Sequence, residues 1–250
     1  MQPHRSRYWL NANPKDPAAF QQQVEAVCAC YLAAPRLLEH EGVHTVSTDE
    51  MTGIQARERI APTRPMRPGQ TECREFEYRR HGTQCLLGNF EVATGQVISP
   101  TVQPTRTERE FAEHLARTVA TDPQAGWIFV ADNLTTHCSA SLVRYVAKAC
   151  GITEDLGTKG KRGILQSVAT RRAFLTDPSH RIRFVYVPKH TSWLNQIEIW
   201  SSILVRRVLK RGDFKSVADL REKIRAFIEY FNRTMAKPFK WTFTGRPLNV

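Results

Sequence analysis

Two acidic residues stand at the ends of apolar runs. Trp127-Ile128-Phe129-Val130 passes through Ala131 into Asp132, and the stretch 42–48 leads into Asp49. A short apolar run after a turn reads as a buried strand of an α/β sheet, and open α/β sheets place their ligands beyond the carboxyl ends of strands. A third acid, Glu198, follows another strand-like run at 181–187 and lies on a helical stretch whose Ile197, Leu204 and Val208 can turn inward. Asn195, Ser201 and Ser202 share its face at i−3, i+3 and i+4. Three carboxylates converging from such elements suit a hard divalent cation, which takes oxygen ligands and leaves positions for phosphate. Two such ions about 4 Å apart activate an attacking oxygen and stabilise a leaving one during phosphodiester displacement. Glu50 rivals Asp49 for its role, while Asp122 and Asp177 each precede a proline and read as turn residues. His137, five residues after Asp132, could orient a phosphate or the water on the metal; as a helix-start residue it would do neither.

The elements that must hold these acids follow from periodicity and caps. Residues 1–15 read as a basic arm and 16–40 as a linker helix opened by Asp16-Pro17, with Phe20, Val24, Val27, Tyr31 and Leu32 as its apolar stripe. The body spans 41–235. Its first strand is 43–49, then 51–71 reads as irregular loop, 75–91 as two strands, 93–96 as a hairpin turn and 97–102 as a third strand. Thr107 with Glu110 forms a capping box opening a helix over 107–121. The strand into Asp132 follows, then a helix over 139–150. A basic, glycine-containing insertion occupies 151–180, with no P-loop order. It reads equally as a phosphate-contacting loop or a solvated excursion. A strand at 181–187, a helix over 191–211 ended by Gly212, a last helix from Ser216 and an aromatic, basic tail at 236–250 complete the chain. The order β-β-β-α-β-α-β-α predicts an α/β fold with a mixed sheet, antiparallel first and parallel afterwards, the layout of an RNase H-like domain.

Bulk properties narrow the partners. Lys and Arg number 36 against 24 Asp and Glu, giving a net charge of +12 and a pI near 9.8; such an excess favours a polyanion, nucleic acid first. The six cysteines carry no CxxC pair, which argues against a zinc or disulfide framework and for reduced thiols in the cytoplasm. There is no signal peptide, and no apolar run approaches membrane-spanning length.

Three blocks carry a specific resemblance. Val46-Ser47-Thr48-Asp49-Glu50, Phe129-Val130-Ala131-Asp132-Asn133 with His137, and the run from Pro188 through Ser192-Trp193-Leu194-Asn195-Gln196-Ile197-Glu198 to Trp200 resemble the catalytic blocks of bacterial insertion-sequence transposases related to the mariner group. The third is the most distinctive. The resemblance implies an RNase H-like (retroviral-integrase-like) fold, a five-stranded mixed sheet flanked by helices. It also implies an Asp49–Asp132–Glu198 triad holding two Mg2+ or Mn2+ ions. Its activity would be cut-and-paste transposition of double-stranded DNA, usually into TA targets, by a homodimer located in the cytoplasm on the nucleoid. His137, Lys159, Lys161, Arg162, His190 and Asn195 are the candidate DNA contacts.

Two departures stand out. Sixty-five residues separate Asp132 from Glu198, more than the group usually has, the surplus being the basic insertion. Family members also carry helix-turn-helix domains upstream, so this chain is expected to correspond to the catalytic half, with residues 5–9 as a remnant arm and a separate helix-turn-helix polypeptide as a conceivable partner. Other RNase H-like nucleases would share the acids without the 193–200 block, and a catalytically incompetent transposase fragment would bind DNA without cutting it.

Overall fold

The computed structural model describes residue 14 and residues 16–243; most of the arm and the last part of the tail lie outside the described residues. Helix α1 (Pro17–Glu41) starts where the Asp16 carboxylate accepts the Ala19 amide and stops at Gly42, whose φ of 61° suits the left-handed cap. It buries Val24, Val27, Cys28, Tyr31 and Ala34; Leu32, expected in the stripe, is 61% exposed.

Five strands form one sheet in the order β3-β2-β1-β4-β5: β1 (Val43–Arg59), β2 (Tyr78–Glu91), β3 (Thr101–Gln103), β4 (Gly126–Ala131) and β5 (Ile182–Tyr186). The first three pair antiparallel, and β4 and β5 add parallel to β1 and β4. This is the expected RNase H-like mixed sheet.

Several boundaries differ from the sequence reading. Strand β1 runs on to Arg59 through much of the stretch read as loop, pairing with one continuous β2 rather than two strands. Its register shifts between Met51 and Ile54 and again between Ala56 and Arg57, with Gly53 at φ 67° supplying the first irregularity. Bulges twist a ribbon and scramble the period-2 pattern that would reveal it. Strand β3 is short, preceded by a single bridge from Phe90 to Val97. The insertion contains helix α4 (Val168–Leu175), with Leu165 and Leu175 in the core.

Alternation along the strands sends side chains to two cores. On one face Leu87, Trp127, Phe129 and Phe184 pack with α2 (Glu108–Val119), α3 (Ala140–Ala149) and α4. The α2 start carries the expected capping box, Thr107 Oγ1 accepting the Glu110 amide while Glu110 accepts the Thr107 amide. On the other face Leu86 and Phe90 pack against α5 (Gln196–Leu204), a π-helical turn over Val205–Leu209, and α6 (Val217–Thr234). Helix α1 covers Val130 and Val187 in a third cluster. Full burial of a Phe or Val side chain contributes about 1.5–3 kcal/mol, and β4 buries Phe129 on one face and Val130 on the other. All six cysteines are free thiols. Among the described residues no helix is long and apolar enough to cross a membrane.

Candidate metal and DNA-cleavage site

The parallel pairing of β1 with β4 sets Ser47 opposite Val130. Two residues further along each chain, Asp49 and Asp132 therefore sit at the same level of the sheet. Alternation places Asp49 on the face of Ser47, the face covered by the start of α5, and turns Glu50 to the opposite side.

Beyond β4 the chain makes a tight loop and a 3-10 turn, Thr135–Cys138, before α3. Asp132 Oδ1 accepts the Leu134 amide at 2.9 Å. Asn133 Nδ2 donates to the Val187 carbonyl, Arg172 donates to Asn133 Oδ1, the Tyr186 hydroxyl donates to the His137 carbonyl at 2.7 Å, and Arg171 Nε donates to the Cys138 carbonyl at 2.7 Å. Arg171 and Arg172 belong to the insertion, so part of that segment is a buttress for the site rather than a free excursion.

Asp49, Asp132 and His137 form a compact group whose ligand atoms all lie within 4.8 Å of one another. His137 Nδ1 is 2.7 Å from Asp132 Oδ1 and Nε2 is 2.9 Å from Glu50 Oε2, and the side chains of His137 and Glu50 are fully buried. The Nδ1 contact is close but badly aimed, leaving that nitrogen without a hydrogen-bond partner. Burial and the neighbouring Asp132 charge push the Asp49 carboxyl up to about 7. Asp132 is also pushed upward by burial, but the His137 ring beside it holds it below the usual carboxylate value. Against its own burial, the His137 imidazole is raised by Asp132 and Glu50.

Glu198 lies on the first turn of α5, exposed to solvent and outside the compact group. That turn is fixed from elsewhere in the chain. Ile197 N donates to Ser47 Oγ at 2.9 Å, so a strand residue caps the helix where its own N-cap side chain does not. Ser47 Oγ in turn donates to Asn195 Oδ1, and Asn195 Nδ2 donates to the Thr48 carbonyl at 3.1 Å. The Tyr31 hydroxyl donates to the Leu194 carbonyl at 2.9 Å.

Two of the expected DNA contacts, Asn195 and His137, are both 0% exposed; one ties α5 to β1 and the other faces the acids. Lys159 pairs with Glu108 at 3.0 Å and Arg162 with Asp155 at 2.6 Å, both on the surface. Lys161 is exposed, as is His190, whose φ is 64°. The contacts of Glu50, Arg171 and Arg172 were not visible in the sequence; a second acid directly after Asp49, on the opposite parity of the strand, was the one available signal for Glu50.

Residues 44–221 match the family described as DDE superfamily endonuclease. Among solved structures, the Mos1 transposase paired-end complex with left transposon end is similar over 95% of this chain and 61% of that chain, at 11% identity and a TM-score of 0.50. The catalytic domain of Mos1 mariner transposase is similar over 88% of this chain and 85% of that one, at 10% identity and 0.49. The Mos1 catalytic domain with raltegravir and Mg covers the same shares at 10% and 0.48. The first likeness is one of fold, and the chain spans about three fifths of that structure's length. No curated protein sequence matches this one. With more than two thirds of its length matched by the family model, the chain belongs to the DDE superfamily endonucleases.

Proposed function

We propose that this chain is the catalytic domain of a transposase that cleaves double-stranded DNA at the ends of an insertion sequence and joins the freed ends to target DNA. The observation that carries the reading is the Asp49–Asp132 pair. Two carboxylates are held side by side on rigid strands, with Asp49 pushed up to about 7 by burial and by its neighbour's charge. A divalent cation relieves that repulsion, and hard oxygen donors fit Mg2+ or Mn2+.

Asp49, Asp132 and Glu198 would hold the metal, two ions in the full site. When bound, the ions supply Lewis-acid activation of the attacking oxygen and charge stabilisation at the phosphate. The rest falls to the chain itself. The β1–β4 register keeps the two aspartates level, and the Ser47–Asn195 tether keeps the first turn of α5 over them. Lys159, Lys161, Arg162 and His190 offer positive charge for DNA backbone, and exposed ion pairs of the Lys159–Glu108 kind exchange readily for phosphate. In the first reaction water displaces the 3′-oxygen of the element end, which leaves as a hydroxyl. In the second, that hydroxyl attacks a target phosphodiester and displaces the target's own 3′-oxygen, which leaves as a hydroxyl; TA is the proposed site. A homodimer bridging two ends, and an upstream helix-turn-helix polypeptide for end recognition, complete the proposal.

Nicking of supercoiled plasmid by the full chain in Mg2+ or Mn2+, beside Asp132→Asn, tests this. Metal-dependent nicking that disappears in the variant, with DNA affinity equal or higher because a negative charge is gone, is the expected result. Nicking retained by Asp132→Asn would remove the triad assignment.

A further inference from the structure

The buried ring of His137 faces the site. Its Nε2 is committed to Glu50 at 2.9 Å, and Thr136 Oγ1 donates to the other oxygen of the same carboxylate at 3.3 Å. In a neutral ring the proton therefore sits on Nε2, and Nδ1 presents a lone pair. Nδ1 is buried, has no hydrogen-bond partner, and lies with the Asp49 and Asp132 oxygens inside a 4.8 Å group. The ring is not free to turn away. Phe111 packs on it with centroids 4.4 Å apart, its carbonyl is gripped by Tyr186, and its amide donates to the Leu134 carbonyl at 3.0 Å.

We propose that His137 Nδ1 is a direct ligand to a divalent cation shared with Asp49 and Asp132, and that Glu50 is the positioning residue that aims the ring; this rests on the metal-dependent reading above. One ring nitrogen on a carboxylate and the other on a metal is the arrangement that fixes a histidine ligand's tautomer and orientation. A Glu50–His137 pair of purely structural purpose would place Nδ1 against a good hydrogen-bond acceptor. Here the nearest oxygen, on Asp132, is 2.7 Å away but poorly aligned, so that the two atoms sit side by side as neighbouring ligands of one cation would. The site would then be Asp–Asp–His on its inner side, with exposed Glu198 approaching from α5. Imidazole prefers transition metals to Mg2+, so this site should bind Mn2+ more tightly than Mg2+.

The experiment is Mn2+ binding to the full chain without an affinity tag, followed by titration and by pulsed electron paramagnetic resonance. The expected spectrum shows modulation from a directly coordinated imidazole nitrogen, altered when the protein's histidines carry the heavy nitrogen isotope. His137→Gln should abolish that modulation while Mn2+ still binds the aspartates more weakly. Glu50→Gln, which keeps an acceptor but loses the charge, should weaken Mn2+ by roughly 10-fold or more. Mn2+ bound in an Asp49-dependent manner with no nitrogen coupling in the native chain would overturn the His137 ligand and leave the endonuclease reading standing. No Asp49-dependent Mn2+ binding at all would overturn both. Because the decisive spectrum is that of the native chain, the result does not depend on either buried variant folding.

Discussion

Replacing Asn195 with alanine should separate what holds α5 in place from what the site does chemically. Asn195 is fully buried and makes two contacts to β1, accepting from Ser47 Oγ and donating to the Thr48 carbonyl at 3.1 Å. Truncation leaves a buried hydroxyl proton and a buried carbonyl without partners. Each such orphan costs about 1–3 kcal/mol, so the variant should lose roughly 2–6 kcal/mol, a large share of the ~5–15 kcal/mol that folds a typical domain. Ser47→Ala removes the same tether from the other side, together with the cap on Ile197 N. Because the two residues share a bond, the double variant should be less destabilised than the sum of the singles, by about 0.5–3 kcal/mol. Denaturant midpoints give the stabilities, and plasmid nicking is compared under conditions where each variant is fully folded. Glu198 lies three residues beyond Asn195, so nicking by folded Asn195→Ala should fall well below that of the native chain. Additive stabilities, or full nicking by a folded but destabilised variant, would refute the claim that this tether positions the third acid.

Two further outcomes follow from other parts of the molecule. His114 is buried between Asn89, whose amide donates to Nε2 at 2.8 Å, and Thr101 at 2.9 Å from Nδ1; burial, with the Arg117 charge adding to it, lowers its pKa from 6.5 to about 3. The neutral ring's contribution is therefore fully present above pH 6.5 and declines as pH falls toward 3, by up to about 1.4 kcal/mol per unit; denaturant midpoints for the native chain and His114→Gln should converge over that window, and parallel curves would contradict it. Neutralising Lys159, Lys161 and Arg162 together should reduce the slope of log affinity for duplex DNA against log salt by about 2–3 if all three meet phosphates, whereas an unchanged slope would move the DNA path elsewhere.

The sheet and the position of Asp132 were legible in the sequence because burial on both faces leaves a continuous apolar run, as in 127–131, and because the ends of such strands are where these sheets place ligands; Asp49, read as a strand end, lies inside β1, which runs on to Arg59. The α2 and α6 starts were legible for a local reason: Thr107 with Glu110, and Ser216 with Asp219, satisfy their helix amides within four residues. What stayed hidden depends on partners distant in the chain. The outer half of β1 is a two-stranded ribbon with register shifts, so its residues alternate poorly and resemble loop. Helix α4 is short, and its Arg171 is buried only because the Cys138 and Leu165 carbonyls accept its guanidinium. The helix expected over 191–211 begins five residues late because Asn195 turns its side chain into the sheet instead of continuing the coil. The Glu50–His137 contact joins residues 87 positions apart, which neither spacing nor periodicity encodes.

The long separation of Asp132 from Glu198 is the feature that most sets this chain apart from the pattern it resembles, and the structure makes it harmless for a physical reason. Loop length adds to closure cost only logarithmically, and here the intervening chain is not a loop. It contains α3, α4 and β5, with Leu165 and Leu175 completing the core beneath β4 and β5. The distance that matters for chemistry is set by registers, Ser47 against Val130 and Ala131 against Tyr186, and those are the same whatever lies between. Arg172 lies over the Tyr186 ring, 4.8 Å from its centroid, while it grips Asn133. The added segment thus reaches the residue beside Asp132 and the strand leading toward Glu198 at once, which makes it a brace across the site, a role included in neither the phosphate-contacting loop nor the solvated excursion read from its sequence.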